Sequence, residues 1–379
     1  MYRPLFYPRI KREHRPVRHG DDQVRIGGDV PGITARIADP DGWVWALLGT
    51  LDGTRTVDQV VAELVRRFPA RPAAGVRDEV LRDLDELIAA GYVEDAAERP
   101  PEALSARERE RYGRCRALWR WMARDGRSSW DTQLLLRQAR VVVVGVGGTG
   151  STAALSLALS GVGRLHCVEP DVVELSNLSR QVLFTEQDVG RPKVDVAVRR
   201  LRARNSDIAI TGEALAITGP RTLVGLAARF DVVVLAADQP KQIRSWANQA
   251  CHATGTAWVH GGYHGPQVNV GVYRPGTGPC YDCACVADRE RQSGLPPHTA
   301  SPTKATERTT GTQASNAVSA GISGQLTAHT AMSLIAGVPR LPVNREYAFN
   351  LVTFDGDVVL ALDAPRPDCP TCAVRTDTA

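Results

Sequence analysis

VVVVGVGGTGSTAALSLAL, residues 141–159, decides the fold. Four consecutive valines are too apolar for a strand with one wet face, so they predict a strand buried on both faces of a parallel sheet. Gly145-Val146-Gly147-Gly148-Thr149-Gly150 follows at once, and the helix-forming run from Ser151 to Leu159 comes next. Strand, glycine turn and helix in that order bring free N–H groups and the positive end of a helix dipole to one place, and glycines let a phosphate approach the backbone. Nucleotide phosphates are therefore expected at Gly145, Gly147, Gly148 and Gly150. The next apolar run, 165–168, ends at Glu169, where an acidic side chain can take ribose hydroxyls.

Strand-like and helix-like segments alternate beyond this point: 165–168, a helix starting at Pro192, 232–235, a helix after Pro240, and 258–260. This alternation implies βαβ units with helices on both faces. The Ser-, Thr- and Pro-rich stretch 286–313 reads as a long mobile loop, followed by a small-residue helix from about Asn316 to Ala336. Segments 347–354 and 358–362 predict a closing hairpin around Asp355-Gly356. The expected fold is α/β: a Rossmann-like, mostly parallel sheet covered by helices, plus a small N-terminal α+β domain of winged-helix type. The divisions are a basic arm over 1–22, the small domain over 23–96, a linker over 97–110 and the large domain over 111–379. In the arm, Arg3, Arg9, Lys11, Arg12, Arg15 and Arg18 read as solvated cations or as a dock for an acidic partner. In the small domain Val24 and Ile26 alternate as a strand, and 33–37 reads as a second. Asp41 opens a helix, and Thr56 is placed as the N-cap of another carrying Val57, Val60, Val61, Leu64, Val65 and Phe68 on one face. A third helix carries Val76, Val80, Leu84 and Leu87, and Gly91 stops it.

The net charge of +4 over 379 residues is too small to argue for nucleic acid. No apolar run long enough for a signal peptide or a bilayer span occurs, so the expected address is the cytoplasm, with neither membrane nor nucleic acid as partner. In that reducing compartment paired cysteines favour metal over disulfides. Cys280-Tyr-Asp-Cys283 and Cys369-Pro-Thr-Cys372 are two CxxC pairs, and four thiolates make a closed, structural Zn²⁺ site. Cys115, Cys167 and Cys251 read as buried or incidental thiols, and Cys285 as a spare sulfur.

Glycines and acid alone also fit a dinucleotide-dependent oxidoreductase. The segment from Glu169 through Asp171, Glu174, Ser176, Asn177, Arg180, Gln181 and Phe184, followed by Asp188-Val-Gly190-Arg-Pro192-Lys193, resembles the ThiF/MoeB superfamily of adenylating enzymes, whose fold is shared with ubiquitin-activating enzymes. The resemblance runs from about Arg111 to Cys372. It implies that Asn177, Arg180 and Lys193 hold ATP phosphates, that Glu169 and Asp171 belong to the nucleotide site, and that Asp238 helps place Mg²⁺. Glu169 stands where the family usually has Asp. Arg111-Tyr112-Gly113-Arg114 resembles the family's RYxRQ motif, with Cys115 in place of Gln, and this implies that Arg114 reaches the ATP of a second subunit in a homodimer. The implied chemistry makes electrostatic sense. An already ionised carboxylate attacking the α-phosphate brings two anions together, and cations with Mg²⁺ offset the repulsion. The expected catalytic set is Arg114, Arg180, Lys193 and Asp238. No cysteine occurs between Val286 and Cys369, which speaks against a thioester relay in that loop.

Leu48-Gly-Thr-Leu-Asp-Gly-Thr-Arg-Thr-Val-Asp-Gln-Val60, with Gly91-Tyr92-Val93-Glu94 closing the module, is similar to PqqD-like peptide-recognition domains over 23–94. That likeness implies capture of the leader of a ribosomally made precursor peptide, added as a strand between the 33–37 region and the 76–88 helix. Together the two resemblances imply ATP-dependent adenylation of a precursor-peptide carboxylate, at the C-terminus or on an Asp/Glu side chain, with a downstream modifying enzyme as a further partner. A Gly-Gly-ending sulfur carrier is the alternative substrate, disfavoured by the N-terminal module. A non-catalytic peptide-presenting protein is disfavoured by the cationic set.

Overall fold

The computed structural model describes residues 6–123, 128–293 and 314–373, which form two compact units, Met1–Leu135 and Leu136–Ala379. The first unit carries β1 (Pro8–Ile10), β2 (Val17–His19), β3 (Gln23–Ile26), β4 (Ala35–Ala38), α1 (Trp43–Thr50), α2 (Val57–Arg67), α3 (Ala73–Ala89), β5 (Val93–Asp95), α4 (Ala106–Arg111) and α5 (Gly113–Met122). Helix α6 (Ser129–Gln138) runs across the boundary.

The expected basic arm is the first correction. Residues 8–10 pair antiparallel with β5, and 17–19 pair with β3. Two of its cations are held in place: Arg9 bonds Glu94 at 2.8 Å, and Lys11 is 3% exposed with its ammonium on the Arg120 and Ala123 carbonyls at the end of α5. Short strands with charged residues show weak periodicity, so the pairing partner 85 residues away was invisible locally. The unit boundary also falls later than the expected 110/111, because α4 and α5 belong to the first unit. Arg3 lies outside the described residues.

Helix placement follows the caps. The expected Asp41 accepts the Trp43 amide at 3.4 Å, and buried Asp39 accepts the Val44 and Trp45 amides, so two acids hold the first turn of α1. Thr56 and Gln59 form a reciprocal capping box at α2, whose Val60, Val61 and Leu64 enter the core. That core joins them to Val24 and Ile26 of β3, Leu47 and Leu51, and Val76, Val80, Leu84 and Ile88 of α3.

The second unit runs β6 (Arg140–Val144), α7 (Gly148–Leu159), β7 (Arg164–Val168), α8 (Lys193–Arg204), β8 (Ala209–Glu213), α9 (Pro220–Ala227), β9 (Val232–Leu235), α10 (Ile243–Thr254), β10 (Ala257–His264), β11 (Gln267–Tyr273), α11 (Tyr281–Ser293), α12 (Ala317–Ala336), β12 (Arg345–Asn350) and β13 (Asp355–Ala361). One eight-stranded sheet has the order β13-β12-β11-β10-β9-β6-β7-β8. Strands β8, β7, β6, β9 and β10 are parallel, and β11, β12 and β13 are added antiparallel. The chain moves outward from β6 through β7 to β8, then returns to place β9 on the other side of β6. Such a reversal leaves a crevice at the carboxyl ends of the two neighbours, where open α/β sheets bind ligands.

Residues 286–293, expected in the long loop, continue α11, while 294–313 lie outside the described residues. The hairpin turns at 351–354, and Asp355-Gly356 instead open β13. Strands β8 and β11 and helix α9 carry no strong local motif in the sequence. Helix α12 packs close to α7 through small polar residues, with Thr149 Oγ1 3.0 Å from Ser323 Oγ.

Thr56→Ala is expected to lower the unfolding free energy of the first unit by about 1 kcal/mol, with Thr56→Ser within a few tenths. Urea denaturation reads this; equal midpoints for the wild type and Thr56→Ala would show that the box contributes nothing.

Candidate active site

A cavity of about 470 Å³ opens at the carboxyl ends of β6 and β9. The glycine turn forms its floor. Gly145 takes a left-handed φ of +90°, and a side-chain carbon at Gly150 would lie 1.9 Å from the Gly145 carbonyl oxygen. Glycine at both positions lets β6 fold straight into α7. Gly145, Gly147 and Gly148 line the cavity; Gly150 does not, and its part in the turn is this close packing.

Glu169 at the end of β7 is 6% exposed. Its Oε2 accepts the Val146 amide at 2.7 Å and its Oε1 the Asp171 amide at 3.1 Å. The acid thus holds the glycine turn to the turn after β7, and its edge still lines the cavity with Asp171. Lys193, the first residue of α8, is 6% exposed and pairs with Asp171 Oδ2 at 3.2 Å. Arg180 donates from Nη1 to the Ser176 carbonyl at 3.1 Å. Asp238, exposed, enters from the segment after β9.

The structure therefore brings Gly145, Gly147, Gly148, Glu169, Asp171, Arg180, Lys193 and Asp238 together. Besides Gly150, two further expected residues are absent from the cavity's lining. Asn177 is buried but does not line the cavity; its Oδ1 accepts the Glu174 amide and shapes the 3₁₀ turn that carries Arg180. Arg114 is an exposed residue of α5 in the first unit.

Other walls had no local signal. Leu215, Ala216 and Ile217 supply an apolar side fit for a flat ring, and Gly261, Gly262 and Tyr263 come from β10. Gln181 lies within the recognised motif; it is 4% exposed, and its buried Oε1 has no hydrogen-bond partner among the described residues. Asp188, 1% exposed on its side chain, is bonded by Arg199 at 2.8 Å and Arg200 at 2.9 Å. It pins the Arg180-bearing loop to α8. Burial alone would raise its carboxyl, but hydrogen bonds from Thr185 and Arg200 bring it down to about 2.

The thiols of Cys280, Cys283, Cys369 and Cys372 all lie within 4.8 Å of one another. Separations of 3.2 Å for Cys283–Cys372 and 3.5 Å for Cys280–Cys369 are near the ~3.8 Å edge of a tetrahedron with ~2.3 Å Zn–S bonds. Asn248 Nδ2 and the Arg366 amide donate to the sulfurs of Cys280 and Cys283. Burial pushes the Cys280 thiol up to about 12. A bound cation would supply the charge that lets such a group ionise. The cluster fits a structural zinc. The remaining thiols are shielded: burial pushes Cys167 up to about 12 and Cys285 to about 11, and raises Cys115 and Cys251 as well. No helix of the described residues is long and apolar enough to cross a membrane.

Metal analysis of the purified protein is expected to find one zinc per chain, and Cys369→Ser to lose it and several degrees of melting temperature. A zinc-free wild type of equal stability would refute the site. Asp188 contributes stability that is present above the unfolded carboxylate value near 4 and lost as pH falls through about 2. Asp188→Asn is expected to flatten acid unfolding in that window, and an unchanged profile would count against the pinning role.

Comparison with known proteins gives this geometry a family. The ThiF family model matches residues 117–371, and the model of the PaaA-like N-terminal domain matches 13–67. The pig (Sus scrofa) adenylyltransferase and sulfurtransferase MOCS3 is 33% identical over 312 residues, covering 79% of this chain and 63% of that protein. The chain thus spans less than two thirds of that relative. Escherichia coli MccB, solved with AMPCPP and MccA, superposes with a TM-score of 0.71 at 22% identity, covering 97% of this chain and 99% of the other. PaaA superposes at 0.66 with 23% identity over 93% and 100%. With the family model covering more than half its length, this chain belongs to the ThiF family and carries a PaaA-like N-terminal domain.

Proposed function

We propose that the protein adenylates a carboxylate of a ribosomally made precursor peptide, using ATP and releasing pyrophosphate. The observation that carries the reading is the convergence, in one cavity, of the glycine turn, Glu169 and Asp171, Arg180 and Lys193, and Asp238. In this reading the phosphates lie on the glycine turn, and the base rests against Leu215, Ala216 and Ile217. A carboxylate oxygen attacks the α-phosphorus, and the bond to the bridging oxygen breaks as pyrophosphate leaves. Arg180 and Lys193 stabilise the charge gathering on the phosphates, and Asp238 holds Mg²⁺. Lys193 gives part of its charge to Asp171 in the free protein and turns to phosphate when ATP binds.

The peptide as substrate is supported by the PaaA-like first unit and by MccB, whose crystals contain MccA. Strand β4 is an edge of its three-stranded sheet, with backbone groups open to an added strand. MOCS3 is named a sulfurtransferase as well as an adenylyltransferase, which favours a sulfur carrier as the second reading. In the present reading a second copy contributes Arg114, and another enzyme consumes the activated peptide.

ATP–pyrophosphate exchange, measured with and without candidate precursor peptides, tests the proposal. Asp238→Ala and Arg180→Ala are expected to lower exchange by about a hundredfold or more while peptide affinity holds. Exchange driven by a Gly-Gly-ending carrier instead of the peptide would establish the second reading.

A further inference from the structure

The cations of the cavity are unequally committed. Lys193 faces Asp171, and Arg180 gives a nitrogen to the Ser176 carbonyl. Arg244, on the first turn of α10, lines the same cavity and is half-buried. Among the described residues its guanidinium makes no hydrogen bond and no ion pair. Its guanidinium lies along the backbone of β10, with Nη2 3.1 Å from where a side-chain carbon on Gly262 would sit.

The carboxylate whose field Arg244 feels is already occupied. Glu346 on β12 accepts His260 Nε2 at 2.9 Å and the Tyr273 hydroxyl at 3.2 Å, both on one oxygen. Burial alone would raise the Glu346 carboxyl, but His260 beside it and the charge of Arg244 hold it below its ordinary value. Glu346 thus balances Arg244 through space while leaving all five of its donors unused. A planar fork of donors, half out of water and without an acceptor, is suited to a carboxylate.

Arg244 stands with Asp238, Gly261, Gly262 and Tyr263 on the β9–β10 side, where the acyl part of an acyl-adenylate would lie. A cation that met only the carboxylate under attack would stabilise the reactant and lose its partner once that group became a neutral mixed anhydride. A carboxylate that keeps its charge uses Arg244 at every stage. We propose that Arg244 binds a second carboxylate of the substrate, next to the one that is adenylated, so that the activated segment is acidic. The proposal rests on the adenylation reading.

Calorimetric titration of the full chain with defined probes tests it. The probes are 5′-O-(L-glutamylsulfamoyl)adenosine, a stable acyl-adenylate mimic with a free side-chain carboxylate, its L-glutaminyl counterpart, AMP and ATP. The wild type is expected to bind the glutamyl mimic about tenfold tighter than the glutaminyl one. Arg244→Gln erases that preference and Arg244→Lys keeps part of it, while AMP, which has no acyl part, reports an intact cavity. Equal affinity for the two mimics in the wild type, or a preference that survives Arg244→Gln, overturns the proposal. So does a selective loss of ATP over AMP in Arg244→Gln, which assigns Arg244 to the outer phosphates. A wild type that binds neither AMP nor ATP overturns the adenylation reading itself, and this proposal with it.

Discussion

The second unit is organised around one carboxylate. Glu169 places an oxygen on the Val146 amide and another on the Asp171 amide, 6% exposed and hence at low local dielectric. Two charge-assisted bonds to backbone in such a place are strong, and losing the acid would strand both amides. They fix the glycine turn relative to the turn after β7. Asp171 in turn receives the Lys193 amide on its carbonyl and the Lys193 ammonium on its side chain. Loop, acid and cation are thus set by one chain of contacts that starts at Glu169.

The length of the Glu169 side chain matters to this arrangement. The side chain spans from the end of β7 to the glycine turn while keeping its edge at the cavity. Charge balance follows. Arg180, Lys193 and Arg244 face Glu169, Asp171 and Asp238, so the cavity is near neutral before any nucleotide enters. A neutral, prearranged set of dipoles and ions stabilises developing charge with little reorganisation, which is the efficient way to help two anions meet.

Much of this was legible in the residues. The run of valines, the glycine turn and the acid after the next strand are local signals, and each has one physical meaning in that order. Thr56 and Gly91 marked helix ends for the same reason: caps are local. The failures share a cause as well. Pairing of β1 with β5 joins residues 85 apart, and no periodicity within three residues can announce it. Gly150 and Asn177 stand in phosphate-binding motifs, yet here they shape the backbone that presents their neighbours. A motif conserves a geometry, and part of each motif is scaffold. Arg244 and Tyr263 have no motif of their own; only the return of β9 beside β6 and the register of β10 on β9 bring them to the cavity.

The cysteine cluster has a structural consequence for the cavity's far wall. Cys280 and Cys283 sit at the start of α11, and Tyr281 between them packs edge-on against Trp258, His260 and Tyr273. Trp258 and Tyr273 stack at 4.9 Å, and His260 lies over the same sheet face. The strand that carries Trp258 and His260 continues directly into Gly261, Gly262 and Tyr263, which line the cavity. Closing the four thiols fixes the first turn of α11, that turn fixes Tyr281, and Tyr281 completes the packing behind β10. The thiols thereby act on the β10 side of the cavity through aromatic packing, by holding one strand in register.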